Sequence, residues 1–302
     1  MKIIVTGSLG HISKPLTEKL IQKGHAVTVI SSREAQQPAI EALGAKAAIG
    51  SVTDPEFLSA AFRDADAVYC MIPPTNYFNQ DLDLPGYTRQ VARSYAQAIS
   101  HAGVKRVVLL SSIGAHLDQG NGIIQVYHEV EAIIRDAATA AFSIMRPTSF
   151  YYNLLAYIPA IRNAGAIAVN YGDEKIIWVS PKDIAATIAE ELQSSTPGTT
   201  IRYVASDERT GAETAAILGE AIGSPDLQWL VVPDDQVQQG LETIGMQPAI
   251  ARGLVEMYAA ARHGRFWEDY YLHKPAALGE IKLEDYAPEF AAAYNKGDSG
   301  GH

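Results

Sequence analysis

The segment of residues 2–14 joins a short apolar strand to a glycine-rich turn, and it constrains the fold most strongly. Residues 3–5 predict a strand that is buried on both faces, and Gly7 and Gly10 follow where the chain must turn into a helix. Gly7 can adopt the positive φ of a tight turn, and Gly10 lets a pyrophosphate approach backbone N–H groups at the helix N-terminus. The spacing Gly-x-x-Gly-x-x-Ser therefore predicts a nucleotide site, although glycines at such turns also serve packing alone.

The following segments continue the alternation of strands and helices. An apolar stripe at Leu16 and Leu20 predicts a helix that Gly24 ends, and a later helix is predicted over residues 127–138. Strands are predicted at residues 3–5, 26–30, 47–50, 67–72, 105–110 and 142–145. This order is typical of an α/β protein with a doubly wound parallel sheet of the Rossmann type.

The periodicity becomes irregular beyond residue 153. We expect residues 1–153 to form a dinucleotide-binding Rossmann domain and residues 154–296 to form a smaller α/β lobe on the substrate side, interleaved with the main sheet. Residues 297–302 are rich in glycine and polar side chains, so we expect a flexible tail.

Composition and charge restrict the class of protein. Hydrophobic residues make up 47% and charged residues 19% of the 302 residues, which is typical of a globular protein. The net charge of −10 argues against direct nucleic-acid binding, since that requires a basic face. No apolar run approaches the ~20 residues of a membrane span, and no leader precedes the first strand, so we expect a cytoplasmic protein. Cys70 is expected to be a buried strand thiol, and no metal site is predicted.

The residues after the second strand bear on the choice of dinucleotide. Ser31, Ser32 and Arg33 stand where an NAD-selective protein usually keeps an acidic residue for the ribose 2′-hydroxyl. A guanidinium and two hydroxyls suit a 2′-phosphate, because they donate hydrogen bonds and no carboxylate repels the dianion. This pattern favours NADP over NAD, with a solvated loop charge at Arg33 as the alternative.

Two further segments are expected at the cleft formed by the carboxyl ends of the strands. Residues 75–85 follow the fourth strand and the Pro73-Pro74 pair, and they predict a loop that either covers the cleft or lies on the surface. Ser111 and Ser112 end the fifth strand, where their hydroxyls could bond a ligand or cap the loop.

Several of these features occur together in a known family. The sequence contains the glycine pattern in residues 6–12, Arg33, the Ser111-Ser112 pair, Arg146-Pro-Thr-Ser-Phe150 with Asn153, and Trp178-Val-Ser-Pro-Lys-Asp-Ile-Ala185. Their order and spacing resemble the NmrA-like branch of the atypical short-chain dehydrogenase/reductases over nearly the whole chain. The resemblance implies an extended Rossmann domain with a small C-terminal lobe and, usually, NADP.

The resemblance also implies positions for the cofactor and the substrate. The residues implied to contact the cofactor are Gly7, Ser8, Leu9, Gly10, His11 and Ile12 on the pyrophosphate side, Ser31, Ser32 and Arg33 at the 2′-phosphate, Met71, Ile72 and Pro73 along the adenosine and ribose, and Ser111. The residues expected to line the substrate pocket are Tyr77, Phe78, His128, Phe150, Tyr151 and Asn153.

The sequence departs from the wider superfamily at its catalytic motif. The Tyr-x-x-x-Lys pair of ordinary short-chain reductases is replaced by Tyr127-His-Glu-Val-Glu131. A lysine would lower the pKa of the tyrosine and a glutamate does the reverse, so Tyr127 is expected to be a poor general acid. His128 falls where related reductases keep a catalytic lysine or histidine, and it either donates a proton or only satisfies local hydrogen bonds. The catalytic candidates are thus His128, Tyr127 and Ser112.

Two functions from different classes fit these features. The first is an NADPH-dependent reductase of a small, flat, apolar acceptor such as a quinone, which needs aromatic walls and little acid catalysis. The second is a regulator that binds NADP without turnover and changes its affinity for a protein partner, which the Glu131 substitution favours. A sugar epimerase shares the fold but would normally need the tyrosine–lysine pair. A homodimer is compatible with the sequence, which identifies no interface.

Overall fold

The computed structural model describes residues 1–137 and 139–296. The tail expected at 297–302 and the last residue of the helix predicted over 127–138 lie outside the described residues. The strands are β1 Lys2–Val5, β2 Ala26–Ser31, β3 Lys46–Ile49, β4 Ala67–Cys70, β5 Arg106–Leu110, β6 Ala141–Pro147, β7 Ser149–Phe150, β8 Ala166–Val169, β9 Ile176–Val179, β10 Thr199–Val204, β11 Asp207–Arg209 and β12 Gln228–Val231. The α-helices are α1 Ser13–Gln22, α2 Gln37–Ala42, α3 Pro55–Ala61, α4 Leu84–Ala102, α5 Gln125–Arg135, α6 Ile158–Ala164, α7 Pro181–Glu191, α8 Gly211–Ala221, α9 Asp234–Thr243, α10 Pro248–Arg262, α11 Trp267–Leu272 and α12 Leu283–Asn295.

Seven strands form one parallel sheet in the order β10-β6-β5-β4-β1-β2-β3. The chain reverses its direction of winding between β1 and β4, so the carboxyl ends of these two strands open a crevice. Val5, the last residue of β1, lies opposite Val29 of β2 and Tyr69 of β4. This topology confirms the predicted doubly wound Rossmann fold.

Helices cover both faces of the sheet, because a parallel sheet buries apolar side chains on either side. On one face, Leu20 of α1 and Ile188 of α7 are buried in a common core. On the other face, Val91 of α4 and Ile134 of α5 are buried in a second core. Each such side chain contributes about 1.5–3 kcal/mol when it leaves water. Among the described helices, none is long and apolar enough to cross a membrane.

Local capping fixes where the helices next to the crevice begin and end. The Asp54 carboxylate accepts hydrogen bonds from the N–H groups of Glu56 and Phe57 at 3.0 and 3.1 Å, which starts α3. Gly103 adopts a φ of +63° and ends α4. The chain then enters β5, whose carboxyl end reaches the same edge of the sheet as β1 and β4.

The chain beyond residue 153 contributes to the main sheet and to a smaller lobe. Helix α7 and strand β10 belong to the main layers, whereas β11-β9-β7 and β12-β8 form two small sheets. Tyr151, Trp178 and Phe290 are buried in the core of the lobe. The smaller α/β lobe was thus predicted from the sequence, whereas its elements α6, α11, α12, β7, β8 and β11 were not.

Candidate functional site

The turn after β1 is a strained glycine loop with no room for a side chain at position 7. Gly7 has a φ of +91° and Ser8 a φ of +55°. A Cβ on Gly7 would lie 2.7 Å from the Oγ of Ser13, so a larger residue does not fit without displacement. The Ser13 hydroxyl donates to the Thr6 carbonyl at 2.7 Å, and the Ser8 N–H donates to the Ile30 carbonyl at 3.0 Å. The loop is therefore held in one conformation at the end of β1.

The loop presents free backbone donors at the start of α1. The Gly10 N–H donates to the Gly7 carbonyl at 3.1 Å, whereas the N–H groups of residues 11–13 have no acceptor within the described part of the chain. Leu9 packs its side chain against the core below. Free N–H groups and the positive end of the helix dipole together attract an anion such as a pyrophosphate.

The residues after β2 lie beside this loop. Ser31 is buried, and its hydroxyl accepts hydrogen bonds from the Ser8 hydroxyl at 3.1 Å and from the Arg33 N–H at 3.2 Å. Ser32 and Arg33 are exposed. Among the described residues, no carboxylate pairs with the Arg33 guanidinium, which leaves that cation available to a ligand.

The end of β4 lies against the same loop. The Thr6 hydroxyl accepts a hydrogen bond from the Met71 N–H at 3.0 Å. The Met71 side chain borders Gly7, because a Cβ on Gly7 would lie 3.1 Å from its Cγ and Sδ. Ile72 is buried in the core on the opposite face of the sheet, and Pro73 is partly exposed. The structure thus brings Met71, and not Ile72, next to the glycine loop.

Glu131 belongs to a buried ion pair. Its carboxylate accepts hydrogen bonds from the Arg146 guanidinium at 2.7 and 2.9 Å and from the Ser111 hydroxyl at 2.5 Å. The Glu131 and Arg146 side chains are each 6% exposed. Arg146 also donates to the Asp269 carboxylate at 2.9 Å and to the Tyr203 hydroxyl at 3.3 Å. The position that holds a lysine in ordinary short-chain reductases therefore connects α5 to β6 and to α11 of the smaller lobe.

The three catalytic candidates occupy different environments. The Ser112 hydroxyl donates to the Ile113 carbonyl at 2.9 Å. Tyr127 is partly buried, and burial raises the pKa of its phenol, which makes it a weaker acid. His128 is exposed, with its Nδ1 at 3.0 Å from the Ala115 carbonyl oxygen. Within the described residues, no hydrogen bond joins these three side chains to one another.

A stack of three rings connects the glycine loop to the segment after β7. The Tyr152 ring lies 4.4 Å from the His11 ring and 5.0 Å from the Phe150 ring, with interplanar angles of 17° in both pairs. Such offset stacks are favourable beyond the area they bury. Tyr152 was not among the residues selected from the sequence, and its neighbour Tyr151 was.

The other residues expected in the substrate pocket do not take part in this stack of rings. The Tyr151 hydroxyl donates to the Ile281 carbonyl at 3.1 Å inside the smaller lobe, and Asn153 is exposed. Tyr77 lies in the loop before α4, and its carbonyl accepts from the Gln247 N–H at 3.0 Å. Phe78 is 48% exposed. The structure therefore joins Phe150 to the glycine loop through Tyr152 and fixes the Tyr77 loop to the N-terminus of α10.

A separate groove of about 390 Å³ lies between α4, α5 and α10. Its lining includes Leu84, Arg89, Gln125 and Arg252, and it contains none of the site residues selected from the sequence. Within the described residues, no group of His, Cys, Asp and Glu side chains could hold a metal ion. The candidate site is the crevice between β1 and β4, where the glycine loop meets the ends of β2 and β4.

The fold and the loop together define a class of protein. A parallel sheet with a winding reversal, a glycine turn and free N–H groups at the first helix is an arrangement that binds dinucleotides. The profile of a protein family described as NAD(P)H-binding matches residues 7–195, more than half of the chain. The chain therefore belongs to this NAD(P)H-binding family, and the resemblance drawn from the sequence is confirmed.

Two of the relatives that the chain resembles in sequence are named as reductases. The chain is 27% identical over 260 residues to an NAD(P)H azoreductase of Xenophilus azovorans, which covers 86% of this chain and 87% of the relative. It is 28% identical over 225 residues to a (4-alkanoyl-5-oxo-2,5-dihydrofuran-3-yl)methyl phosphate reductase of Streptomyces griseus, which covers 74% of each chain.

Solved structures share the fold over almost their whole length. The NADPH complex of the quinone oxidoreductase QOR2 of Escherichia coli superposes with a TM-score of 0.79 at 20% identity, covering 95% of this chain and 99% of that chain. The triphenylmethane reductase of Citrobacter sp. superposes with a TM-score of 0.77 at 19% identity, with the same coverage of 95% and 99%.

Proposed function

We propose that the chain is an NADPH-dependent reductase of a small, flat acceptor such as a quinone or an azo dye. The observation that carries the proposal is the glycine loop at the β1–β4 crevice, whose free N–H groups lie beside a stack of three aromatic rings. Aromatic walls next to a dinucleotide site suit a conjugated acceptor. The azoreductase relative and the quinone and triphenylmethane reductases of the same fold support the assignment.

The residues of the loop fit a phosphorylated dinucleotide. The N–H groups of residues 11–13 would hold the pyrophosphate, and Gly7 and Gly10 leave its approach open. The exposed Ser32 and Arg33 would donate to a 2′-phosphate, which favours NADP over NAD. Met71 would border the ribose, because it packs beside Gly7.

Reduction of the acceptor needs a hydride and a proton. The bound dinucleotide supplies the hydride. His128 is the proposed proton donor: the Ala115 carbonyl orients its ring through Nδ1, which leaves Nε2 to exchange a proton with the acceptor or with water. Tyr127 keeps its proton, because burial raises its pKa, and it serves as a hydrogen-bond donor. Ser112 would hold the acceptor or the nicotinamide by a hydrogen bond.

The proposal is tested by following the oxidation of NADPH with four acceptors: a quinone, an azo dye, a triphenylmethane dye and an aliphatic ketone. We expect the three conjugated acceptors to be reduced above the buffer rate and the ketone to be inert. Gly7→Val is the control variant, since its side chain would collide with Ser13, and it should lose both dinucleotide binding and turnover. Failure to oxidise bound NADPH with any acceptor would refute the reductase.

Glu131 favours a second candidate, an NADP-binding regulator without turnover. The chain lacks the lysine of the ordinary catalytic motif, and the glutamate in its place is committed to an ion pair with Arg146. Tight NADP binding without turnover in the same experiment would support this function. A regulator would also need unequal affinities for two forms of the dinucleotide, because equal affinity shifts no equilibrium. A protein partner, a homodimer and a cytoplasmic location stay predictions.

A further inference from the structure

Four tyrosines near the crevice have hydroxyls that make no hydrogen bond with the protein. Tyr69 belongs to β4, Tyr77 to the loop before α4, Tyr127 to α5, and Tyr152 to the short 3-10 helix after β7. None of the four hydroxyls has a partner among the described residues. The Tyr69 side chain is fully buried, and buried polar groups are nearly always hydrogen-bonded in native proteins. An orphaned hydroxyl at this place indicates that a ligand completes the site.

A backbone hydrogen bond and a ring contact place Tyr69 and Tyr152 beside the glycine loop. The Tyr69 carbonyl accepts the Thr6 N–H at 3.2 Å, one residue before Gly7. The Tyr152 ring stacks on His11 of the loop. Tyr127 lies in the first turn of α5, and Tyr77 follows the carboxyl end of β4. Besides burial, Tyr152, Cys70 and Tyr127 raise the pKa of Tyr69. Tyr77 in turn raises the pKa of Tyr127.

We propose that Tyr69, Tyr77, Tyr127 and Tyr152, here called the tyrosine cluster, form the acceptor pocket and select flat conjugated acceptors that carry a hydrogen-bond-accepting oxygen or nitrogen. The inference rests on the proposed reductase function. The stack of His11, Tyr152 and Phe150 supplies an aromatic wall, and the hydroxyls donate to a quinone oxygen or an azo nitrogen.

The chemistry of the tyrosine cluster suits this role at neutral pH. Burial raises the pKa of Tyr69, Tyr77, Tyr127 and Tyr152, so all four phenols stay protonated and act as neutral donors. A neutral donor set accepts an uncharged quinone without burying a charge. The same set discriminates against a flat hydrocarbon, because that ligand would leave the Tyr69 hydroxyl unpaired.

The inference is tested by titrating a naphthoquinone into the protein loaded with NADP⁺, where no hydride is available and binding is measured alone. Tyr69→Phe and Tyr152→Phe each remove one hydroxyl and should weaken quinone binding about fivefold. Tyr152→Leu also removes the central ring of the aromatic wall and should weaken quinone binding by roughly a further fivefold. The affinity for NADP⁺ should stay unchanged in Tyr69→Phe and Tyr152→Phe, which keep the ring, and the KM for the quinone should rise in proportion.

Tyr286→Phe is the matched control. Its phenol is also buried without a partner among the described residues, yet it lies in the core of the smaller lobe, so quinone affinity should not change. Equal quinone affinity in the wild type, Tyr69→Phe and Tyr152→Phe would overturn the pocket assignment, even in a chain that oxidises NADPH. A different outcome would overturn the proposed function and leave the pocket assignment standing: the wild type binds the quinone, the variants bind it more weakly, and the wild type does not oxidise NADPH. If Tyr69→Phe fails to fold, the quinone affinity of Tyr152→Phe tests the pocket assignment, because the Tyr152 ring is partly exposed and its substitution should not disturb folding.

Discussion

Replacing Glu131 with glutamine tests whether the residue in the place of the catalytic lysine is structural. Removing one partner of a buried ion pair costs about 3–5 kcal/mol, because the other charge is left uncompensated. Both side chains of the Glu131–Arg146 pair are 6% exposed, so this range applies. Arg146 also donates to the Asp269 carboxylate at 2.9 Å, and the variant retains this partner. We therefore expect the free energy of unfolding to fall by the lower end of the range, about 3 kcal/mol.

The assay is urea unfolding, with Glu129→Gln as the matched control. Glu129 lies two positions away on α5 and forms an equally well-aligned pair with Arg89 at 2.7 and 2.8 Å, but those side chains are 42% and 36% exposed. Breaking such a surface pair costs about 0–1 kcal/mol. A loss for Glu131→Gln no larger than that for Glu129→Gln would show that the buried pair does not hold α5 in place.

Reintroducing lysine at this position should fail to restore the ordinary motif. Glu131→Lys places an ammonium beside the Arg146 guanidinium in a buried environment, so it should destabilise the chain more than glutamine does. Quinone turnover should not increase. A lysine variant that is stable and more active would contradict the structural role assigned to Glu131.

Three further predictions concern the cofactor site, the buried charges and the thiol. Arg33→Ala should weaken NADP binding roughly 10–100-fold and leave NAD binding unchanged in calorimetric titrations. Arg63, an exposed arginine just after α3, provides the control, and Arg63→Ala should affect neither affinity. Burial raises the pKa of Glu191, but hydrogen bonds from Ser143 and Arg202 outweigh it, so the folded-state pKa lies below the ordinary 4.5. This stabilisation is present above pH 4.5 and is lost as the pH falls through the folded-state pKa, and the acid-dependent loss of unfolding free energy should be smaller in Glu191→Gln. Cys70 is fully buried with a raised pKa, so it should react with a thiol reagent only after unfolding.

The strands and helices of the main sheet could be predicted because the local sequence signals and the tertiary packing favour the same structure there. Asp54 both begins a helix by capping and stands at a strand-to-helix turn of the main sheet. Helix α11 spans only six residues, and helix α12 contains Pro288 inside it, so neither carries a strong periodic pattern. Buried residues such as Trp267 and Phe290 hold these helices by tertiary packing, which the local sequence does not encode.

The site residues were harder to predict where side-chain direction depends on distant partners. At the junction of β7 and the 3-10 helix, Tyr151 enters the lobe core and Tyr152 faces His11, although both follow Phe150 in sequence. The adjacent tyrosines offer no local difference that would separate them. Glu131 forms its ion pair with Arg146, 15 positions further along the chain. Its position four residues after Tyr127 could therefore not indicate this structural role.

A single-turnover reaction tests the central claim most directly. The protein, saturated with NADPH at stoichiometric concentration, is mixed rapidly with excess naphthoquinone, and the nicotinamide absorbance is followed against the same mixture made with Gly7→Val. We predict that the absorbance of one bound NADPH per chain disappears faster than in buffer and that the variant shows only the buffer rate. Bound NADPH that stays reduced in the presence of the quinone would contradict a reductase.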